Sequence, residues 1–435
     1  MRHELLRRAG CCLPGVLLLL THVARAQDAQ LTIFSIAEDN PPPGLADSGF
    51  GAAVAVSGQT ILIGVPFDTD SVSFPTFHGR VGIYFNSSPT PGSFPGWNRT
   101  GTLIANDQGP NETLFGNALG LSGKQAAIGS SSVVRIYQKQ QGQWQQTDTI
   151  FWKADESAPK PVMVLDDGIL VYRVLKNSDQ GIVYSYQLDS TGKAQLLEKL
   201  KAPAGNYGDF GASLALKNGK LVLGSAGLTS ATDPQPAGLV YVYELNGTSW
   251  SLKQKLTPAV ASTNSNFGAA VAINHGAIIV GAPGENVVIQ NGVQATGGMV
   301  HVFMKQGGLY ADVQDVAPNC DAGAGCGEFG AIMAAGGEGH VVIGAPQALP
   351  NSNGQSYGVD GETFIYKWEA DTLTPDFPWF QSPQTSMAAD GRYLIVGSDQ
   401  PPLDPNNPGE GYINEATLFD FATHPNAPPQ SPAAP

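Results

Sequence analysis

The chain has 435 residues, with 23 basic against 37 acidic side chains, a formal net charge of −14, 53 Gly, 32 Pro and four Cys. Such an acidic balance argues against nucleic acid or an anionic membrane surface as partner. Turn formers abound, no long 3.6-residue apolar period appears, and no stretch approaches the roughly 18 uninterrupted apolar residues a membrane helix needs, so helical and membrane-inserted folds are not expected.

Residues 1–26 read as an export signal: Arg2, Arg7 and Arg8 precede an apolar core over 11–20, and Ala24-Arg25-Ala26 supplies small residues for cleavage before Gln27. The mature chain is therefore expected to be secreted. Its loss would also remove Cys11 and Cys12, leaving Cys320 and Cys326 in the segment CDAGAGC. In an oxidising compartment a close pair in a Gly-rich loop is expected to form a local disulfide. Four sequons place glycosylation candidates at Asn86, Asn98, Asn111 and Asn246.

From residue 31 the chain alternates short apolar runs with turns. Residues 31–37 are one run, followed by a Pro-rich connection to Phe50-Gly51, where FGAAVAVSGQTILIGVP begins. Variants open at Phe115-Gly116, Phe210-Gly211, Phe267-Gly268 and Phe329-Gly330, and degenerate units without Phe-Gly start near residues 159 and 384. Each unit carries a residue-Gly pair between its first two runs: Ser57-Gly58, Ser122-Gly123, Asp167-Gly168, Asn218-Gly219, His275-Gly276, Glu338-Gly339 and Asp390-Gly391. Such pairs suit type I′ hairpins, because Gly adopts positive φ without steric cost.

The spacing of these pairs is close to the period of about 40–50 residues expected of four-stranded propeller blades, stretched where loops are longer. The fold class is therefore all-β: a seven-bladed β-propeller spanning 27–421 as one domain. First strands rich in Ala (Ala52, Ala53, Ala55; Ala269, Ala270, Ala272) suit crowding near a central axis. Second strands that are apolar at nearly every position suit burial on both faces. After the seventh unit's third strand, near 415–421, residues 422–435 are Pro-rich and read as a disordered tail. The missing outer strand is expected to be 31–37, which would close the ring.

These Phe-Gly starts and Gly-Ala-Pro ends, at this spacing, resemble the FG-GAP repeats of the integrin α-chain propeller over about residues 31–421. Unit four and its continuation, with Trp250 in a hairpin before KLT, look like the FG-GAP repeats of secreted surface proteins; Trp144 holds the corresponding place in unit two. The resemblance implies an extracellular, adhesion-type propeller. Integrin repeats often hold calcium in a DxDxDG loop between the first two strands. Here those hairpins lack both the length and the carboxylates, so no metal site is carried over to any residue.

For catalysis the chain offers His78, His275, His301, His340 and His424, but no nucleophile elbow, no H-E-x-x-H, no Walker loop and no C-x-x-C. No catalytic residue, cofactor or metal ligand is assigned, and each histidine is expected to be structural or solvent-facing. Long Gly- and Asn-rich connections between second and third strands favour units four to seven. Glu285, Asn286, Asn291, Asn351, Asn353, Tyr357, Asp360 and Asp404 are the ligand-face candidates. The expected function is non-enzymatic binding of an extracellular protein or glycan by a monomer. The alternatives are a polysaccharide-active enzyme with a site in the central channel and a structural wall or matrix component.

Overall fold

The computed structural model describes residues 23–25, 30–37, 49–68, 78–87, 96–105, 113–158, 162–176, 181–203, 209–227, 238–260, 264–288, 294–318, 326–336, 339–348, 361–369, 371–381, 385–400 and 413–421. Their strands form seven antiparallel blades, each running outward in chain order, and the inner strands of successive blades pack against one another in a closed cycle. Blade five is typical: Ala270–Asn274 is innermost, followed by Ala277–Ala282, Met299–Gln306 and the outer strand Leu309–Val316. Its second strand is buried at every position, as are Thr60–Val65 in blade one and His340–Ala345 in blade six. A strand covered by blades on both sides has no wet face, so its apolar residues run continuously rather than alternate.

The repeat motif is the joint between blades. The FG glycine of one blade points its carbonyl at the second-strand glycine of the preceding blade, so closely that a Cβ would lie 2.0 Å from it at Gly64, 2.0 Å at Gly224, 1.9 Å at Gly281 and 2.1 Å at Gly397. These carbonyls belong to Gly116, Gly268, Gly330 and Gly51 respectively. Within a blade, the FG glycine donates its N–H to the carbonyl of that blade's own second-strand glycine, as Gly268 does to Gly281 at 2.9 Å. Where the preceding first strand offers a hydroxyl, the FG carbonyl is also satisfied: Ser213 donates to Gly268 at 2.7 Å and Ser386 to Gly51 at 2.8 Å. Blade three places Arg173 on its second strand where other blades have glycine, and its Nε donates to the Phe210 carbonyl at 3.1 Å, with Asp209 pairing the guanidinium.

The closing strand is as expected. Gln30–Ala37 pairs antiparallel with Ile413–Asp420, Ile36 opposite Ala416, and so completes the blade formed by Ser386–Asp390 and Tyr393–Gln400. Ile36 is buried among Phe50, Tyr393, Ile395 and Leu418. Val23–Arg25 forms a further short pairing on its outer side.

The hairpins depart from the sequence reading in detail. Blades three, four and five turn through Asp167-Gly168, Asn218-Gly219 and His275-Gly276, with positive φ at both residues, the type I′ pattern. In blades one, two and seven the turn lies one residue later, at Gly58-Gln59, Gly123-Lys124 and Gly391-Arg392, with positive φ at Gly only, as in type II′. With either turn, the last residue of the first strand can cap the next blade. Asp390 Oδ2 accepts from Gly58 N, Ser57 Oγ from Gly123 N, Ser122 Oγ from Asp167 N, and Asp166 Oδ2 from Asn218 N.

The Trp250 position acts across a joint too. Its indole N–H donates to Ser185 Oγ in blade three at 2.9 Å, and its backbone N–H to Glu198 at 2.7 Å. Ser185→Ala would orphan a buried indole N–H, and a loss of about 1–3 kcal/mol is expected in denaturant unfolding. A change within error would show that the indole finds another acceptor.

Candidate functional site

The antiparallel order puts the tight hairpins on one face of the ring and the connections between second and third strands on the other. Two short ribbons lie on this second face, and the one ahead of blade six joins such a connection to the segment that leads into the blade. In blade five Asn286–Val288 folds back on Gln294–Thr296, and ahead of blade six Cys326–Gly327 pairs with Gln347–Ala348 from that blade's own second-to-third connection. Of the predicted ligand-face residues, Glu285 and Asn286 lie in this setting. Asn291, Asn351, Asn353, Tyr357, Asp360 and Asp404 fall outside the described residues, as do Cys320 and Asn111; of Cys326 only the backbone is described.

The other sequons sit at or beside turns between third and fourth strands, which open on the hairpin face. Asn98 and Asn246 are exposed there. Asn86 is not: it is fully buried, and its amide donates to Tyr393 Oη of the neighbouring blade at 3.1 Å. A glycan on Asn86 would displace that bond and open the joint, so the fold leaves no place for it.

The axis of the ring is a cavity of about 320 Å³ lined by the first strands of all seven blades. Apolar residues such as Val54, Leu119, Met163, Leu165, Met333 and Met387 line it, and polar atoms also face the opening. Its carboxylates, Asp166 and Asp390, stand at the hairpin end and are the blade-to-blade caps described above. A second cavity of about 540 Å³ opens beside it on that face, between Lys217, Lys220, His275 and Asp390.

Among the described residues, a compact group of titratable side chains lies elsewhere, at the loop-face end of blade five. Its centre is His301, whose side chain is only 3% exposed. Nε2 lies 3.0 Å from Glu285 Oε2, while Nδ1 lies 2.9 Å from Asp315 Oδ1 and 3.3 Å from Asp312 Oδ2. Phe267 sets its ring edge-on to the imidazole at 5.4 Å between centroids. Burial opposes a charge on the ring, but hydrogen bonds to Asp312 and Glu285 and their charges outweigh it and push the imidazole up to about 10.

Local backbone geometry assembles this cluster. Glu285 is held by a turn that follows Gly281-Ala282-Pro283: its N–H donates to Ala282 and its carbonyl accepts from Gly298, both at 3.0 Å. Asp68 has the same place after Gly64 in blade one, where it pairs with Arg80 at 2.9 Å. Asp312 and Asp315, three residues apart, would point to opposite faces of a regular strand. A β-bulge leaves Val313 unpaired, setting Asp312 opposite Phe303 and Asp315 opposite His301, and so brings both carboxylates to the ring. In the sequence His301 reads as structural or solvent-facing, and neither aspartate is singled out, since strand periodicity separates them. The third-to-fourth strand pairing shows a register shift at the corresponding place in blades one, two, three, four and six.

Residues 250–303 match the family model described as FG-GAP repeat, a span from the outer strand of blade four to the third strand of blade five that includes the joint-forming Gly268 and Gly281. No match was found among curated protein sequences. Among solved structures, a protein from Lactobacillus plantarum is 12% identical with a TM-score of 0.45, covering 76% of this chain and 84% of its own. Hsv2 from Kluyvelomyces marxianus is 11% identical with a TM-score of 0.42, covering 78% and 86%. A candidate 6-phosphogluconolactonase from Bacteroides fragilis is 12% identical with a TM-score of 0.45, covering 77% and 86%. At such identities and scores, what those proteins do says nothing of this one. The chain is thus a seven-bladed β-propeller, and residues 250–303 within it match the FG-GAP repeat.

Proposed function

We propose that the protein is secreted and non-enzymatic, and that it recognises an extracellular protein or glycan through the loop face of the ring. The reading is carried by the asymmetry of the two faces. One face is built from tight hairpins tied to one another by side-chain caps, and it bears the exposed sequons Asn98 and Asn246. The opposite face carries the long connections, anchored on the blades at Glu285 and at the Cys326–Gly327 ribbon. Variable loops on a rigid scaffold are a common arrangement for recognition. The channel favours binding over catalysis as well, since its two carboxylates are already engaged as caps.

Glycan arrays and pull-down from extracellular fluid with the intact chain would supply a ligand. Two variants would locate its site: residues 286–296 replaced by Asn-Gly, and residues 349–360 replaced likewise, each checked for folding. At least one is expected to weaken binding tenfold or more, about 1.4 kcal/mol. Binding unchanged by both, or lost only on altering His275 or Lys124 in the hairpins, would overturn the assignment, as would the absence of any ligand from both screens.

A further inference from the structure

We propose that His301, Asp312 and Asp315 bind a divalent first-row transition ion of the zinc type at the loop-face end of blade five, with Glu285 orienting the histidine. Three carboxylates surround one imidazole, so even a protonated ring leaves the group with surplus negative charge. Asp312 carries the sharper sign: its side chain is 8% exposed, and its Oδ1 is buried with no hydrogen-bond partner. A buried carboxylate oxygen left unpaired is costly, and a cation beside it removes that cost.

The donor set has the form of a metal centre. Nδ1 of His301 and one oxygen from each of Asp312 and Asp315 lie within 4.8 Å of one another, a spread compatible with one ion bound at about 2.0–2.2 Å by nitrogen and oxygen ligands. The surrounding contacts are those that usually steady such ligands. Nε2–H donates to Glu285, which fixes the tautomer that turns Nδ1 to the metal, and Asp312 Oδ2 accepts from the backbone N–H of Ala259 at 3.1 Å. Asp315, 57% exposed, gives the ion a path from solvent and leaves room for water as a further ligand. One imidazole with two carboxylates suits zinc, cobalt or manganese better than calcium, which takes six to eight oxygens. His340 offers an internal comparison: it meets Asp376 at 2.8 Å and stacks on Phe421.

The test uses the full mature chain stripped with chelator and then titrated with zinc chloride by calorimetry, and with cobalt chloride by visible absorption. One ion per chain is expected. Asp315→Asn, a change at an exposed group that leaves the core intact, and His301→Gln should each abolish saturable uptake. Glu285→Gln should weaken it by about 10–100-fold, and Asp376→Asn should leave it unchanged. Absence of saturable uptake of either ion, or uptake that survives Asp315→Asn in a protein shown to fold, would overturn the site. This result is independent of the ligand screens, because replacing residues 286–296 spares all four side chains.

Discussion

Gly281→Ala is expected to destabilise the protein by about 3 kcal/mol or more, although it adds one methyl group to a strand of small apolar residues. Overpacking typically costs about 1–3 kcal/mol when side chains can give way. Here the added Cβ would meet backbone, 1.9 Å from the Gly330 carbonyl oxygen and 2.8 Å from its carbon, so two blades would have to separate. Gly101→Ala is the control: in the outer strand of blade one its Cβ would touch only Ile83 Cδ1 at 3.4 Å, and stability should hardly change. Comparable losses for the two variants in urea unfolding would show that the close approach at Gly281 is not what joins the blades.

Removing residues 27–37 is expected to have the other large effect. It strips the outer strand from blade seven, breaks the ladder over Thr32–Asp420 to Ala37–Glu415, and uncovers the pocket that Ile36 fills. At about 1 kcal/mol per hydrogen bond and about 1.5–3 kcal/mol for the buried isoleucine, the loss is on the order of 5 kcal/mol. That is comparable with the whole stability of an ordinary domain, about 5–15 kcal/mol. The exposed strand edge would also invite pairing between chains. The truncated chain should therefore melt in a broader, lower transition and self-associate. A transition that coincides with that of the intact chain would mean the closing strand contributes little.

The blades were legible in the sequence because blade packing acts on residue type directly. Continuous apolar second strands, Ala near the axis and a Gly in every hairpin each follow from a local requirement, and the missing strand after residue 421 pointed to 31–37. Side-chain partnership across the joints was not legible. The one-residue difference between Ser57-Gly58 and Gly58-Gln59 as a turn is invisible in composition, yet it decides whether Ser57 turns or caps the next blade. Asn86 matched a surface pattern while standing at a joint, and only the position of Tyr393, in a unit far along the chain, reveals its burial. The His301 cluster was hidden by the bulge at Val313, since strand periodicity alone separates Asp312 from Asp315.

One closed ring, coupled at its Phe-Gly steps and through the amino-terminal strand, is the frame on which the loop face depends. Native-state hydrogen exchange of the intact chain tests it most directly, because amides released only by global unfolding report a common free energy. The protected amides of Gln30–Ala37 and those of the second strand of blade four, Lys220–Ala226, are expected to exchange with free energies within about 1 kcal/mol of each other. Exchange of the closing strand faster by several orders of magnitude, with blade four still protected, would show a ring that opens at blade seven and would contradict the account.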